Sequence, residues 1–141
     1  MGRPWRAQAL RCSVAVLAIA VASGCGGGTH KITDFGALVG QWTRTVTGAD
    51  VKRSGATGIP AGSVWTFTVK KGGAAHIAGS TGDAFDGTVV NAGANRIHIE
   101  LGLSCPCAYR WSISGQQLTF TKTNDPVGDR VAVFWGVWQR K

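Results

Sequence analysis

From residue 36 onward, apolar and polar residues alternate with period two, and the 3.6-residue period of an amphipathic helix is almost absent. Short runs of β-branched and aromatic residues are broken by clusters of Gly, Asn, Asp or Pro, a pattern that predicts strands. Eight emerge: Leu38 to Thr47, Ser63 to Lys71, Ala74 to Ala78, Phe85 to Asn91, Arg96 to Leu103, Ala108 to Ser114, Gln117 to Thr123 and Arg130 to Gln139. Most of the breaks, such as Gly72-Gly73 and Gly115, are short, and strands joined by short turns pair antiparallel.

The alternation also assigns faces. Trp65, Phe67 and Val69 share one side of the second run, Ile97, Ile99 and Leu101 one side of the fifth, and Tyr109, Trp111 and Ile113 one side of the sixth, each opposed by polar neighbours. One wet and one buried face per strand is the signature of antiparallel sheet laid on a core. The last run breaks the rule. Val131, Val133, Trp135 and Val137 oppose Ala132, Phe134 and Trp138, so both its faces are apolar, and a partner protein, the chain's own first loop or a membrane surface must cover the second.

Eight up-and-down strands leave two exposed edges unless the sheet closes, and closure at eight leaves room for side chains or one small ligand. A two-sheet sandwich would satisfy the same alternation but needs long crossing connections. Only Gly48 to Gly62 is long enough to act as a lid or crossover. The expected fold is therefore all-β, an eight-stranded antiparallel up-and-down barrel.

Composition narrows the class. With 44% hydrophobic and 16% charged residues, 21 glycines and 6 tryptophans, the chain is globular and unlike a coiled coil or helical bundle. The formal net charge of +8 falls to +5 once Arg3, Arg6 and Arg11 are set aside, a modest excess that points to no particular partner.

Those three arginines open a leader. Residues 1 to 11 carry no acid, residues 12 to 23 are almost wholly apolar, and Gly24 and Cys25 follow, which is the three-part plan of a secretory signal. The apolar stretch falls well short of the ~20 residues of a spanning helix. Ala22-Ser23-Gly24-Cys25 resembles the lipobox of bacterial lipoproteins, with Ala22 where leucine is usual. That resemblance implies a signal peptide over 1–24, removal of it, and a diacylglyceryl group on Cys25 that anchors the chain to the outer face of the cell membrane. Residues 25–35, beginning with Gly26 to Gly28, then form a flexible tether, and 36–141 form the barrel domain.

Of the four cysteines, Cys12 leaves with the leader and Cys25 takes the lipid. Cys105 and Cys107 remain, on either side of Pro106. Export favours disulfides, yet a bridge across one residue lies near the ~7 Å limit between Cα atoms and needs a tight turn. The pair is either free or locally bridged, and two thiolates do not complete a tetrahedral zinc site.

The first strand contains Gly40-Gln41-Trp42 and the chain ends Trp138-Gln139-Arg140. A Gly-x-Trp on the first strand with an arginine near the last is similar to the lipocalin and wider calycin pattern. The resemblance implies that Gly40, Trp42 and Arg140 close the base of the barrel, the arginine packing over the tryptophan. Tyr109 to Ile113, Leu118 to Phe120, Asp125-Pro126 and Asp129-Arg130 further resemble small actinobacterial lipoproteins of lipocalin-like type, which often place a cysteine where this chain has Val127.

On the assigned faces, Trp42, Trp65, Phe67, Tyr109, Trp111, Phe120 and Trp135 point inward. These rings either line a cup for a small hydrophobic molecule or fill the barrel solidly. Arg44 shares parity with Trp42: it is an interior clamp for a ligand carboxylate or phosphate, or a bulge turns it outward. No Gly-x-Ser-x-Gly, His-Glu-x-x-His or phosphate-binding glycine loop occurs, and His30, His76 and His98 are scattered. The expected protein is thus a lipid-anchored binding module with no catalytic residues, cofactor, metal or nucleic-acid partner. Its ligand is a small hydrophobic molecule bound inside; the alternative is a filled barrel that docks on a partner protein, with the last strand as the candidate surface.

Overall fold

The structure, a computed structural model, describes residues 35–102 and 107–141. The leader, the tether, Cys25 and Cys105 lie outside the described residues. After a single 3-10 turn at Phe35–Leu38, eight strands run in chain order: β1 (Gly40–Thr45), β2 (Val64–Val69), β3 (Ala74–Gly79), β4 (Ala84–Asn91), β5 (Arg96–Leu101), β6 (Cys107–Ser114), β7 (Gln117–Asn124) and β8 (Gly136–Arg140). Each pairs antiparallel with the next, and β8 returns to β1 through Trp42 opposite Arg140 and Thr43 opposite Gln139. The sheet is a closed eight-stranded up-and-down barrel.

The period-two pattern fills the inside. Trp42, Trp65, Phe67, Ile77, Ile97, Ile99, Tyr109, Leu118, Phe120 and Trp138 are all completely buried. On β2 and β5 the outward neighbours Thr66, Thr68, His98 and Glu100 face water wholly or in part, as the one-sided alternation requires. One irregularity sits between β6 and β7, where the register shifts between Ala108 and Tyr109.

The eighth predicted strand is a correction. Its first half is a helix, α2 (Gly128–Phe134), and only Gly136–Arg140 is strand. Val131, Ala132, Val133 and Phe134 are buried in succession. Consecutive burial is what a short helix enclosed on all sides gives, and a short apolar run cannot be told from a buried strand by periodicity alone. The helix thus buries Val131 to Phe134 within the chain, whereas Val137 of the remaining strand is exposed.

What covers α2 includes the chain's own first connection. Residues Gly48–Ser54 form a second short helix, α1, started by a reciprocal capping box between Thr47 and Asp50 and stopped by Gly55 in the left-handed conformation at φ 68°. The helices meet at backbone distance. A Cβ on Gly128 would stand 2.7 Å from the Ser54 carbonyl oxygen, so only glycine permits this approach. Asp129 pins the contact by accepting bonds from the backbone N–H groups of Thr57 (2.8 Å) and Gly58 (3.0 Å). Because α1 follows β1 and α2 precedes β8, both lie at one end of the barrel, here called the cap. The 3-10 turn, the β2–β3, β4–β5 and β6–β7 turns and the C-terminus lie at the other end, the base.

Candidate functional site: the barrel interior

At the base, Arg140 closes the barrel over Trp42. Its guanidinium carbon lies 4.2 Å from the centroid of the indole, and its two terminal nitrogens donate to the carbonyls of Val39 (3.3 Å) and Ala37 (3.0 Å). Trp42 Nε1 donates to the Leu38 carbonyl at 2.8 Å, which ties the 3-10 turn to the same ring. Gly40, at φ 138°, leaves the space: a Cβ there would stand 2.9 Å from an Arg140 nitrogen. The structure thus brings Gly40, Trp42 and Arg140 together.

Above this base the rings contact one another. Phe134 of α2 meets Phe67 edge-on at 5.2 Å between centroids, with Tyr109, Phe120 and Trp138 all between 5.7 and 6.0 Å from it. Phe67 and Tyr109 also each contact Phe120. Edge-to-face and tilted pairs at these separations add to the gain from burial. Trp65 is fully buried and satisfies its indole N–H on Ser63 Oγ at 3.0 Å. Trp111 points inward opposite Phe120 but stays partly exposed, as does Ile113.

Trp135 departs from its expected place. It follows α2 directly, partly buried outside the ring cluster, with the Arg53 guanidinium 4.3 Å over its ring. The strand that was to carry it inward is helix up to Phe134, and Trp135 is the extended residue that ends it.

Arg44 does point inward, and no bulge intervenes, since β1 stays in register with β2 from Gly40 to Thr45. Its carboxylate partner comes from the chain itself: Asp50 on α1 accepts from Arg44 at 2.6 Å, and the Val133 carbonyl accepts from it at 2.9 Å. Burial lowers the pKa of Arg44, opposed by Asp50. For Asp50 burial alone would raise the pKa, but the bonds from the Thr47 N–H and hydroxyl and the Arg44 charge outweigh it, so the carboxyl sits below its ordinary value. Arg53 donates to the same carboxylate at 2.7 Å and to the Trp135 carbonyl at 2.6 Å. Arg44 Nε, buried, finds no acceptor among the described residues.

A second buried charge group lies beneath α2. Asp125 takes a two-pronged pair of bonds from Arg130 (2.8 and 2.7 Å), one from the Val127 N–H (2.9 Å) and one from the Tyr109 hydroxyl. The Arg130 and Asp125 side chains are wholly inaccessible. Burial would lower the pKa of Arg130, but Asp125 more than offsets this and holds it raised, while burial and the Asp125 charge push the Tyr109 phenol well up. A tyrosine held neutral and bonded to a carboxylate already committed to arginine is a structural anchor, not an acid or base poised near neutral pH.

Cys107 lies beside this group as a free, buried thiol whose S–H donates to the Ile99 carbonyl at 3.1 Å. Burial above all raises its pKa to about 12. Among the described residues no three His, Cys, Asp or Glu side chains gather where a metal could sit. No protein family, curated protein or solved structure matches the chain.

Sequence reasoning placed Trp65, Phe67, Tyr109 and Phe120 inside, left Arg44 between an interior clamp and an outward bulge, and missed what engages them: Asp50, Asp125, Arg130, Phe134 and Trp138. One signal was present, since Thr47-x-x-Asp50 has the form of a helix-starting box with the shorter acid. For Asp125 and Arg130 none was, because a carboxylate at a strand end reads as a turn residue until the fold buries it.

Proposed function

We propose that the protein is an exported lipoprotein, held at the outer face of the cell membrane by lipid on Cys25, whose lipocalin-like barrel is a side-chain-filled scaffold that acts by surface contact and catalyses no reaction. The observation that carries this reading is the contact network inside the barrel: the rings of Phe67, Tyr109, Phe120, Phe134 and Trp138 touch one another where a ligand would lie. The charged groups that could orient a ligand support it too. Arg44 is paired with Asp50, and Arg130 with Asp125. A packed interior of this kind has the density of a crystal, and a guest would have to displace ring contacts to enter.

A second reading, one small hydrophobic molecule bound inside, is favoured by two details: the unpartnered Nε of Arg44 and the partial exposure of the inward-facing Trp111. Titration with fatty acids, a porphyrin and a hydrophobic dye, read by tryptophan fluorescence, separates the two. The filled scaffold gives no saturable change with any of them, whereas a saturable shift lost in Trp111→Ala would establish the cup. For the anchor, the intact mass of the exported protein should show the diacylglyceryl group on Cys25 and lose it in Cys25→Ala; an unmodified Cys25 thiol would refute lipidation there.

A further inference from the structure

Charge is segregated along the barrel. Among the described residues, Lys70 and Lys71 form the β2–β3 turn, Arg96 begins β5, and Arg140 and Lys141 end the chain, so five exposed cations ring the base. No described side-chain carboxylate shares that end, and the α-carboxylate of Lys141 offsets only one of the five cations. Asp50 and Asp129 belong to the cap helices and Asp125 to the loop before α2, Asp83 lies in the β3–β4 turn, and Asp86 and Glu100 occupy the cap-side halves of β4 and β5. The wall continues the pattern, because Arg96 stands directly opposite Arg110 on the neighbouring strand, both exposed. Like charges in cross-strand register cost stability, and neither arginine has a carboxylate within ion-pair distance among the described residues.

The chain enters the barrel at this same end, through the 3-10 turn that begins at Phe35. Nine residues separate Cys25 from Phe35, and the ten Cα steps between them can span at most about 35 Å. The stretch brings one cation, Lys31, and one acid, Asp34, and so leaves the charge of the base unchanged.

We propose that the base of the barrel docks on anionic phospholipid headgroups, Lys70, Lys71, Arg96, Arg140 and Lys141 forming the contact and the helical cap facing away. The orientation rests on the reading of Cys25 as the lipid anchor; the basic collar does not. Charge complementarity selects the occupant, because five cations against the single terminal carboxylate leave the collar strongly positive toward a planar anionic surface. Each basic side chain near such a surface favours the bound state about fivefold. The contact also supplies a second attachment beside the acyl chains.

The test uses the exported full-length lipoprotein, extracted and reconstituted into vesicles of phosphatidylcholine alone or with about one-third phosphatidylglycerol, in which amines are acetylated and each lysine's rate is followed by mass spectrometry. The expected result is that Lys70, Lys71 and Lys141 react about threefold or more slowly in anionic than in neutral vesicles, that Lys52 and Lys122 do not change, and that high salt abolishes the difference. In Lys70→Glu/Lys71→Glu the protection of Lys141 is lost. Equal rates at the base lysines in both vesicles, or equal slowing of Lys52, would overturn the proposal. The intact mass reports lipidation separately: if Cys25 carries no lipid, the anchor reading fails, and adding the same vesicles to the free protein still decides whether the collar binds them.

Discussion

The guanidinium of Arg140 lies 4.2 Å over the indole of Trp42, joining the last residue of β8 to the first strand and to the turn before it. Stacking holds the fork where its two terminal nitrogens reach the carbonyls of Ala37 and Val39, so one side chain seals the sheet and satisfies two backbone acceptors. An exposed stack of this kind contributes about 0.5 to 1 kcal/mol and each hydrogen bond about 1 kcal/mol. Arg140→Ala should therefore lower the urea-unfolding free energy by about 2.5 to 3 kcal/mol. Arg140→Lys should recover little of it, since an ammonium cannot stack and reach both carbonyls at once. Gly40→Ala strains a positive φ and pushes against the same guanidinium; its cost, about 1 to 3 kcal/mol, should shrink in the Arg140→Ala background.

Asp125 and Arg130 form a wholly buried pair with nothing wasted on the carboxylate side. Asp125→Asn leaves a guanidinium inside the barrel without its counter-charge, and the expected loss is about 3 to 5 kcal/mol by thermal or urea unfolding. Replacing both by apolar residues, Asp125→Leu with Arg130→Met, should cost much less than the sum of the single changes. It would still leave the Tyr109 hydroxyl and the Val127 N–H without their acceptor, so adding Tyr109→Phe should recover part of the remainder.

The strands were legible because each hydrophobic side chain inside this barrel alternates with a polar one outside, and nothing but a sheet produces that over Val64–Val69 or Arg96–Leu101. The same logic failed at Val131 to Phe134. Four apolar residues in a row fit a strand buried on both faces and a helix buried all round equally well, and only the barrel opening that needs filling decides between them. Arg44 shows the other limit. Its parity was readable, but its partner is Asp50, brought beneath it by a helix that the sequence presented as a long loop. Both polar clusters are pairings across the cap, and no local pattern encodes them.

The helix contact at the cap should be intolerant of a single methyl. Gly128→Ala sets a Cβ against the carbonyls of Ser54 and Gly55, which are backbone atoms and cannot swing aside. Separation of α1 from α2 would strain the bonds from Thr57 and Gly58 to Asp129. The expected cost is about 1 to 3 kcal/mol in urea unfolding, with faster amide exchange at Thr57 and Gly58 as the local readout. Gly48→Ala, where a Cβ meets nothing within 4 Å, serves as the control and should be neutral.

Cys107 should be inert in the folded protein. Only the thiolate reacts, and burial lifts the pKa to about 12 while the S–H is engaged by Ile99. Iodoacetamide at neutral pH should leave Cys107 unlabelled for as long as the barrel is folded and label it at once in denaturant, as read by mass spectrometry. Rapid native labelling would mean that the β5–β6 wall opens far more readily than its packing implies.

Asp50 makes stability depend on acid in a definite direction. Its folded pKa lies below the ordinary aspartate value of 3.8 because the bonds from Thr47 and the Arg44 charge outweigh the cost of burial. The unfolded chain therefore binds a proton more readily than the folded one. The contribution of Asp50 is complete above pH 3.8 and is lost as pH falls from there through the lower folded value. Asp50→Asn removes the charge that Arg44 and Arg53 share and should be clearly destabilising at pH 7, more so than a cap replacement worth about 1 kcal/mol. As pH drops below 3.8, protonation makes the native residue resemble the variant, and the two unfolding curves should converge. Urea midpoints measured for both proteins from pH 7 to pH 2.5 test this. A gap that stays constant to the acid limit would show that Asp50 acts through its shape and hydrogen bonds alone, with its charge contributing nothing to the cap.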